Sequence, residues 1–328
     1  MKTLVLSHAE VTAMLPMNEC IPVMREALIA LASGAVHLPL RSIIRPPEAK
    51  GLLGLMPSYA SGEHAAYGLK AVCVFPGNPA IGKDAHQGAV LLFSAETGEL
   101  LAMMNASAIT AIRTAAATGV ATQLLAREDA CDLAILGSGV QARTHLVAMA
   151  EVRPIKRCRV ASRRAQHAQA FASEMKEAVS FPIEPVATVE EAVKGADLVV
   201  TTTNSAEPII KQELVSAGAH LNLVGACFPT AREVDSDTMA AASLFVDRRE
   251  SALNEAGDYL IPAREGVIGP EHIRAELGEV LIGEKAGRTS AEEITCFKSL
   301  GISVEDLFAA EYLYKKAERL GMGTWVEY

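Results

Sequence analysis

The stretch Leu133-Ala-Ile-Leu-Gly137-Ser-Gly139-Val-Gln-Ala-Arg143 decides the fold. Its first four residues are apolar without alternation, as a strand buried on both faces of a parallel sheet reads. A glycine turn follows, and residues 144–152 continue with small and apolar residues on one side of a helix. The spacing is the dinucleotide fingerprint Gly-x-Gly-x-x-Gly/Ala. Gly137 permits the tight turn, Gly139 lets the backbone approach a pyrophosphate, and Ala142 lets helix and strand pack closely.

Beyond this loop, apolar runs alternate with helical ones. Strands are predicted at 157–161, 183–186, 198–203, 221–225, 244–247 and 294–297, with helices to about residue 178 and over 189–194. That alternation predicts an α/β fold with a Rossmann-type doubly wound parallel sheet, with ligand at the carboxyl ends of its strands. In an NAD-selective site an acidic residue about 20 positions past the glycines binds the ribose 2′-hydroxyl. Here the chain reads Val160-Ala161-Ser162-Arg163-Arg164. A hydroxyl and two guanidinium forks suit a 2′-phosphate, so NADP(H) is preferred and NAD(H) possible. The alternative, that the two arginines only solvate a helix start, runs against the helix dipole.

Upstream, Ser7 and Glu10 form a capping box, and residues 17–32 carry apolar residues at helical spacing up to Gly34. From 36 to 105 the pattern changes to short, mostly antiparallel strands at 37–44, 52–58, 67–75, 89–94 and 100–104. Three cations stand out there. Arg41 lies within one strand pattern and Lys70 within another, and alternation alone accounts for either as a charge on a solvent face. Arg113 sits on an apolar helix, about 107–125, with no acidic residue before Glu128. An unpaired buried charge is costly, so Arg113 requires a carboxylate from elsewhere or an anionic ligand, and the bare helix favours the ligand. A last helix, about 304–317, could return to pack on this first domain.

The chain has 328 residues, half of them apolar, and a net charge of −9. That length predicts two domains, and the acidic balance excludes a general footprint for nucleic acid or an anionic membrane. No apolar run approaches the length needed to span a bilayer, and the start of the chain lacks a signal peptide's apolar region. The six cysteines are dispersed without zinc spacing, as in a reduced cytoplasmic protein, and no metal is expected. Cys227 has no neighbouring base to make it a nucleophile.

Together, Arg41-Ser-Ile-Ile, Gly68-Leu-Lys70, His86-Gln-Gly, Thr110-Ala-Ile-Arg113-Thr-Ala-Ala, the glycine loop, Gly257-Asp, Glu276-Leu-Gly-Glu and Phe297-Lys-Ser-Leu-Gly resemble the ornithine cyclodeaminase/mu-crystallin family over essentially the whole chain. The resemblance implies a homodimer with a strand-rich α+β domain for substrate and dimerisation, made from residues 1–115 and 302–328, around a nucleotide domain at 116–301. It implies that Arg41, Lys70 and Arg113 hold the substrate carboxylate, with Lys70 and Arg41 nearest the chemistry. The expected cofactor residues are Arg113, Thr114, Gly137, Ser138, Gly139, Val140, Gln141, Ser162, Arg163, Arg164, Thr202, Thr203, Val224, Ser299 and Leu300.

Two departures refine the activity. Where cyclodeaminases carry an aspartate two residues before the proline of Val-Gly-x-x-x-Pro, this chain has Cys227, and their lysine two residues after it is Ala231. The segment looks more like the ketimine-reducing mu-crystallin branch, as does Ser162-Arg163. The implied activity is NAD(P)H-dependent reduction of small α-imino acids to L-amino acids. A cyclodeaminase, an open-chain amino-acid dehydrogenase such as alanine dehydrogenase, and a cofactor-binding protein without turnover remain open.

Overall fold

A computed structural model describes residues 2–327. The chain divides into two compact units, Met1–Thr114 with Gly301–Tyr328, and Ala115–Leu300. The first begins with β1 (Lys2–Leu6), α1 (His8–Met14) and α2 (Met17–Ala32). Ser7 caps α1 and Glu10 closes the capping box, as the sequence predicts. Then come β2 (Val36–His37), β3 (Ser42–Ile44), β4 (Leu52–Ala60), β5 (Ala66–Val74), β6 (His86–Ser94) and β7 (Leu100–Asn105), before α3 (Ala106–Leu125).

The second unit contains β8 (Asp132–Leu136), α4 (Val140–Val152), β9 (Arg157–Ala161), α5 (Ala165–Met175), β10 (Ile183–Pro185), α6 (Val189–Val193), β11 (Leu198–Thr201) and β12 (His220–Leu223). It continues through α7 (Ser236–Ala241), β13 (Ser243–Val246), α8 (Arg249–Glu255), α9 (Gly257–Arg264), β14 (Ile273–Glu276), α10 (Leu277–Leu281) and β15 (Thr295–Lys298). Its eight strands run in the order β10-β9-β8-β11-β12-β15-β13-β14, every pair parallel. From β8 the order grows outward through β9 on one side and β11 on the other. The crevice at the carboxyl ends of β8 and β11 is therefore the topological switch point where doubly wound sheets bind ligands. Strands β8, β11 and β12 are buried almost throughout, which explains the apolar runs 133–136 and 198–200, while β12 buries His220 and Asn222 with their side chains 3.1 Å apart in a hydrogen bond.

The chain returns to the first unit as α11 (Ser303–Leu320) and β16 (Thr324–Glu327). The sheet there runs β16-β1-β7-β6-β5-β4-β2, with β3 also on β4. All pairs are antiparallel except β1 with β7. Helix α11 crosses one face, held by Ser303 Oγ donating to the Pro57 carbonyl at 2.8 Å and Ser58 Oγ donating to the Ser303 carbonyl at 3.3 Å. The opposite face keeps Tyr67 50% and Met103 42% exposed. No described helix is long and apolar enough to cross a membrane.

The structure corrects some local expectations. Arg41 lies in the connection between β2 and β3 rather than inside a strand. Lys70 is on the α11 face of β5 and only 3% exposed, so alternation puts it in the core and not in solvent. Strands β1, β14 and β16 carry too short an apolar run to signal themselves; each forms because a neighbouring strand supplies its ladder.

Candidate active site

Arg41, Lys70 and Arg113 converge at the start of α11 although they come from a loop, a strand and a helix. Lys70 Nζ lies 2.8 Å from Asp306 Oδ2, and Arg113 Nε lies 3.1 Å from the same residue's Oδ1. Arg113 Nη1 also pairs with Glu305 Oε2 at 2.7 Å. Arg41 donates to the Gly301 carbonyl at 2.9 Å. A Cβ on Gly301, which has φ +71°, would stand 2.2 Å from Arg113 Nη1, so glycine is required where Arg113 presses on this turn. Gly301 and the first turn of α11 thus tie the three cations into one cluster.

The partner of Arg113 is supplied by the protein. Helix α3 itself contains no acidic residue; Glu305 and Asp306 lie nearly 200 residues downstream, on a helix whose return brings them to Arg113. The three cations thus gather around the carboxylates of Glu305 and Asp306, and a cluster so rich in donors suits a small anionic group. Burial pushes the Lys70 ammonium down to about 8, assisted by Arg113 and Arg41 and opposed by Asp306. Its Nζ is also 3.5 Å from Thr110 Oγ1. His86, at the start of β6, is pushed below its ordinary value by burial first and then by Lys70 and Arg113.

In the second unit the residues expected at a dinucleotide lie around the carboxyl ends of β8, β9 and β11. Gly137 has φ +114°, and a Cβ there would come within 2.6 Å of Thr202 Oγ1 and 2.7 Å of the Thr202 carbonyl. Gly139 is the N-cap of α4, with no side-chain cap and no acidic residue in the first turn. A Cβ on Gly139 would meet no atom within 4 Å. An uncapped helix start at a glycine with open space above it fits a phosphate group. Val140 is exposed, Gln141 half-buried and Ala142 buried, and Ser138 Oγ lies 3.0 Å from Ser162 Oγ across the ends of β8 and β9. Arg163 and Arg164 are exposed, and Arg164 is the N-cap of α5. Neither guanidinium has an ion-pair partner among the described residues, as a waiting anion site requires.

Thr202 and Thr203 directly follow β11, and Val224 follows β12. Ser299 and Leu300 follow β15; Ser299 N donates to the Leu223 carbonyl at 3.0 Å and Leu300 N to Asp247 Oδ2 at 2.7 Å. Thr114 adjoins Arg113 on α3 and is buried. Cys227 Sγ donates to the Val224 carbonyl at 3.4 Å. Sequence reasoning missed Glu305, Asp306 and a buried group of Glu233, Asp258 and Lys298. Asp258 and Lys298 do lie in the motifs Gly257-Asp and Phe297-Lys-Ser-Leu-Gly, where a charge in an apolar context is the same signal that marks Arg113.

Comparison with known proteins agrees with this architecture. The sequence model of the ornithine cyclodeaminase/mu-crystallin family matches residues 1–320. A Delta(1)-pyrroline-2-carboxylate reductase of Bacillus cereus is 40% identical over 326 residues, covering 99% of this chain and 100% of the relative. The ketimine reductase mu-crystallin of Mus musculus is 41% identical over 281 residues, 86% of this chain and 85% of the relative. The solved structure of Thermococcus litoralis Delta(1)-pyrroline-2-carboxylate reductase, in complex with NADH and L-proline, superposes with a TM-score of 0.95 at 40% identity, covering 98% and 99% of the two chains.

Proposed function

The chain belongs to the ornithine cyclodeaminase/mu-crystallin family, and from that premise we propose that it is an NAD(P)H-dependent oxidoreductase reducing small α-imino acids, such as pyrroline-2-carboxylate or piperideine-2-carboxylate, to L-amino acids. The observation that carries this function is the convergence of Arg41, Lys70 and Arg113 on Gly301 and the first turn of α11. Guanidinium and ammonium donors gathered in this way suit an α-carboxylate.

The glycine loop, Ser162, Arg163, Arg164, Thr202, Thr203, Val224, Ser299 and Leu300 would hold the dinucleotide, joined by Arg113 and Thr114. When bound, the reduced nicotinamide supplies a hydride equivalent to the imine carbon. Arg41 and Arg113 bind and orient the carboxylate. Lys70, with a pKa near neutrality, holds or delivers the proton at the imine nitrogen, which must carry positive charge for its carbon to be electrophilic. Neither Cys227 nor Ala231 offers the carboxylate and amine that a cyclodeaminase brings to its amino groups. The test is a panel of cyclic imino acids and keto-acid/amine pairs, assayed for NADPH and NADH oxidation, beside ornithine with catalytic NAD. Imino-acid-dependent oxidation with negligible ornithine cyclisation is expected. Robust proline and ammonia formation from ornithine would replace the reductase with a lyase.

We further propose a preference for NADPH. The end of β9 presents Ser162, Arg163 and Arg164 and no acidic residue. Arg163→Ala is expected to weaken NADPH binding by about 1–3 kcal/mol, the scale of a charge-assisted hydrogen bond, with little effect on NADH. Titration of both cofactors checks this, and equal losses count against it.

The partner we propose is a second copy. The face of the first unit's sheet away from α11 exposes Tyr67 and Met103, with the rings of Tyr59 and Tyr67 4.7 Å apart and tilted by 40°, an apolar surface of the kind buried between subunits. Light scattering should return about twice the 34.7 kDa chain mass, whereas a monomer at micromolar concentration refutes the dimer.

A further inference from the structure

The carboxyl edge of the second unit's sheet contains a fully buried acidic side chain for which the chemistry above has no use. Glu233 Oε1 accepts from Thr203 N at 2.9 Å and Thr203 Oγ1 at 2.6 Å. Its Oε2 accepts from Thr201 Oγ1 at 2.6 Å, Gly225 N at 2.8 Å and Ala226 N at 3.3 Å. Five donors from the ends of two adjacent strands converge on one carboxylate.

The β11–β12 ladder ends at Thr201 and Leu223, and one further bond, Val224 N to the Thr201 carbonyl at 3.0 Å, follows it. Beyond that point Glu233 takes the place of the ladder and bridges the two segments. The approach is close: a Cβ on Gly225 would lie 2.1 Å from the Thr203 carbonyl and 2.5 Å from Glu233 Oε1. Glu233 is itself anchored. Its backbone N–H donates to Asp258 Oδ1 at 2.7 Å, and Asp258 Oδ2 lies 3.0 Å from Lys298 Nζ at the end of β15, with neither side chain exposed. Between the two clamped residues stands Thr202, whose hydroxyl donates to the Leu136 carbonyl at 3.1 Å and whose atoms back the Gly137 turn.

A buried ionic group of this size is a poor means of stabilising a fold, because well-packed apolar residues do as well without desolvating charge. Its geometry is suited to fixing strand ends where a ligand binds. Resting on the nicotinamide-cofactor reading above, we propose that Glu233 is a positioning residue for the dinucleotide: it locks the ends of β11 and β12 behind the glycine turn, and the Asp258–Lys298 pair holds it there.

The experiment measures the dissociation constants of NADH and NADPH by fluorescence, and the imino-acid KM at saturating cofactor. Glu233→Gln keeps the shape but turns an amide NH2 towards donors. It should weaken both cofactors about tenfold or more while the KM moves less than about threefold, since a hydrogen bond to a charged group carries that much. Thr201→Val removes one donor isosterically and should weaken cofactor about threefold or more, whereas Thr201→Ser, which keeps the hydroxyl, should stay within about twofold of wild type. Unchanged cofactor affinity in folded Glu233→Gln, or a parallel rise in KM, overturns the proposal. If Glu233→Gln does not fold, the Thr201 pair decides: equal affinities for the valine and serine variants overturn the assignment. A wild-type protein that binds neither dinucleotide refutes the cofactor reading itself, a result read without any variant.

Discussion

Lys70→Met is expected to lower kcat/KM for an α-imino acid by about two to four powers of ten, the span over which a positioned proton donor contributes. Lys70 is almost wholly buried on β5, 2.8 Å from Asp306 and under repulsion from Arg113 and Arg41. Burial is the largest influence on it and brings its pKa to about 8. An ammonium poised there is largely protonated at pH 7 and largely neutral by pH 9.5, while Arg113, held above its ordinary value by Asp306 and Glu305 against burial, keeps its proton in that range. If Lys70 supplies the proton, wild-type kcat/KM must fall as pH rises through about 8, and the methionine variant must lose that limb together with its activity. Lys70→Arg should not restore the rate, because a guanidinium keeps its proton. A methionine variant retaining more than about a tenth of wild-type activity, or a wild-type profile flat from pH 7 to 9.5, removes Lys70 from proton transfer.

The nucleotide unit was readable because its signals are local. An unbroken apolar run, two glycines and a small residue at fixed spacing specify β8, the Gly137 turn and α4, and no distant contact is needed to interpret them. The predicted strands up to β13 and at β15 fall within a few residues of the observed ones for the same reason. Strand β14 and the short helices α7 to α10 escaped, since four to eight residues contain too few turns or alternations to rise above background. The first unit was harder. The charge at Lys70 has the same alternation whether its face meets water or α11, and only the return of a helix from 230 residues downstream decides it. The charged partners were hidden similarly. Sequence correctly demanded a partner for Arg113 and could not identify one, because Glu305 and Asp306 read as the ordinary acidic first turn of an amphipathic helix. What distinguished them was a property of the pair, visible only once both helices are in place.

That pairing carries the second large effect. Arg113→Met should cost about 3–5 kcal/mol of stability, because it leaves two buried carboxylates without their principal cation. In the wild type, burial opposes the Arg113 charge, yet Asp306 and Glu305 more than offset it and hold the guanidinium above its ordinary pKa. Reciprocally, Arg113 and Lys70 overcome burial and hold Asp306 below the usual carboxylate value. A depressed folded-state pKa means that the wild-type pair stabilises the fold above the ordinary Asp value of 3.8 and loses that contribution as pH falls through the folded value. Removing Arg113 reverses the sign. Burial then dominates, the carboxyls of Glu305 and Asp306 rise above their unfolded values, and the folded variant takes up protons that the unfolded chain does not. The stability deficit of Arg113→Met relative to wild type should therefore be largest near pH 8 and shrink as pH falls towards 5, and adding Glu305→Gln should recover part of it at pH 8. Urea unfolding of the three proteins at pH 5, 6.5 and 8 measures this directly. A deficit below about 1 kcal/mol, or one independent of pH, would mean that Arg113 is not the counter-charge of these two acids.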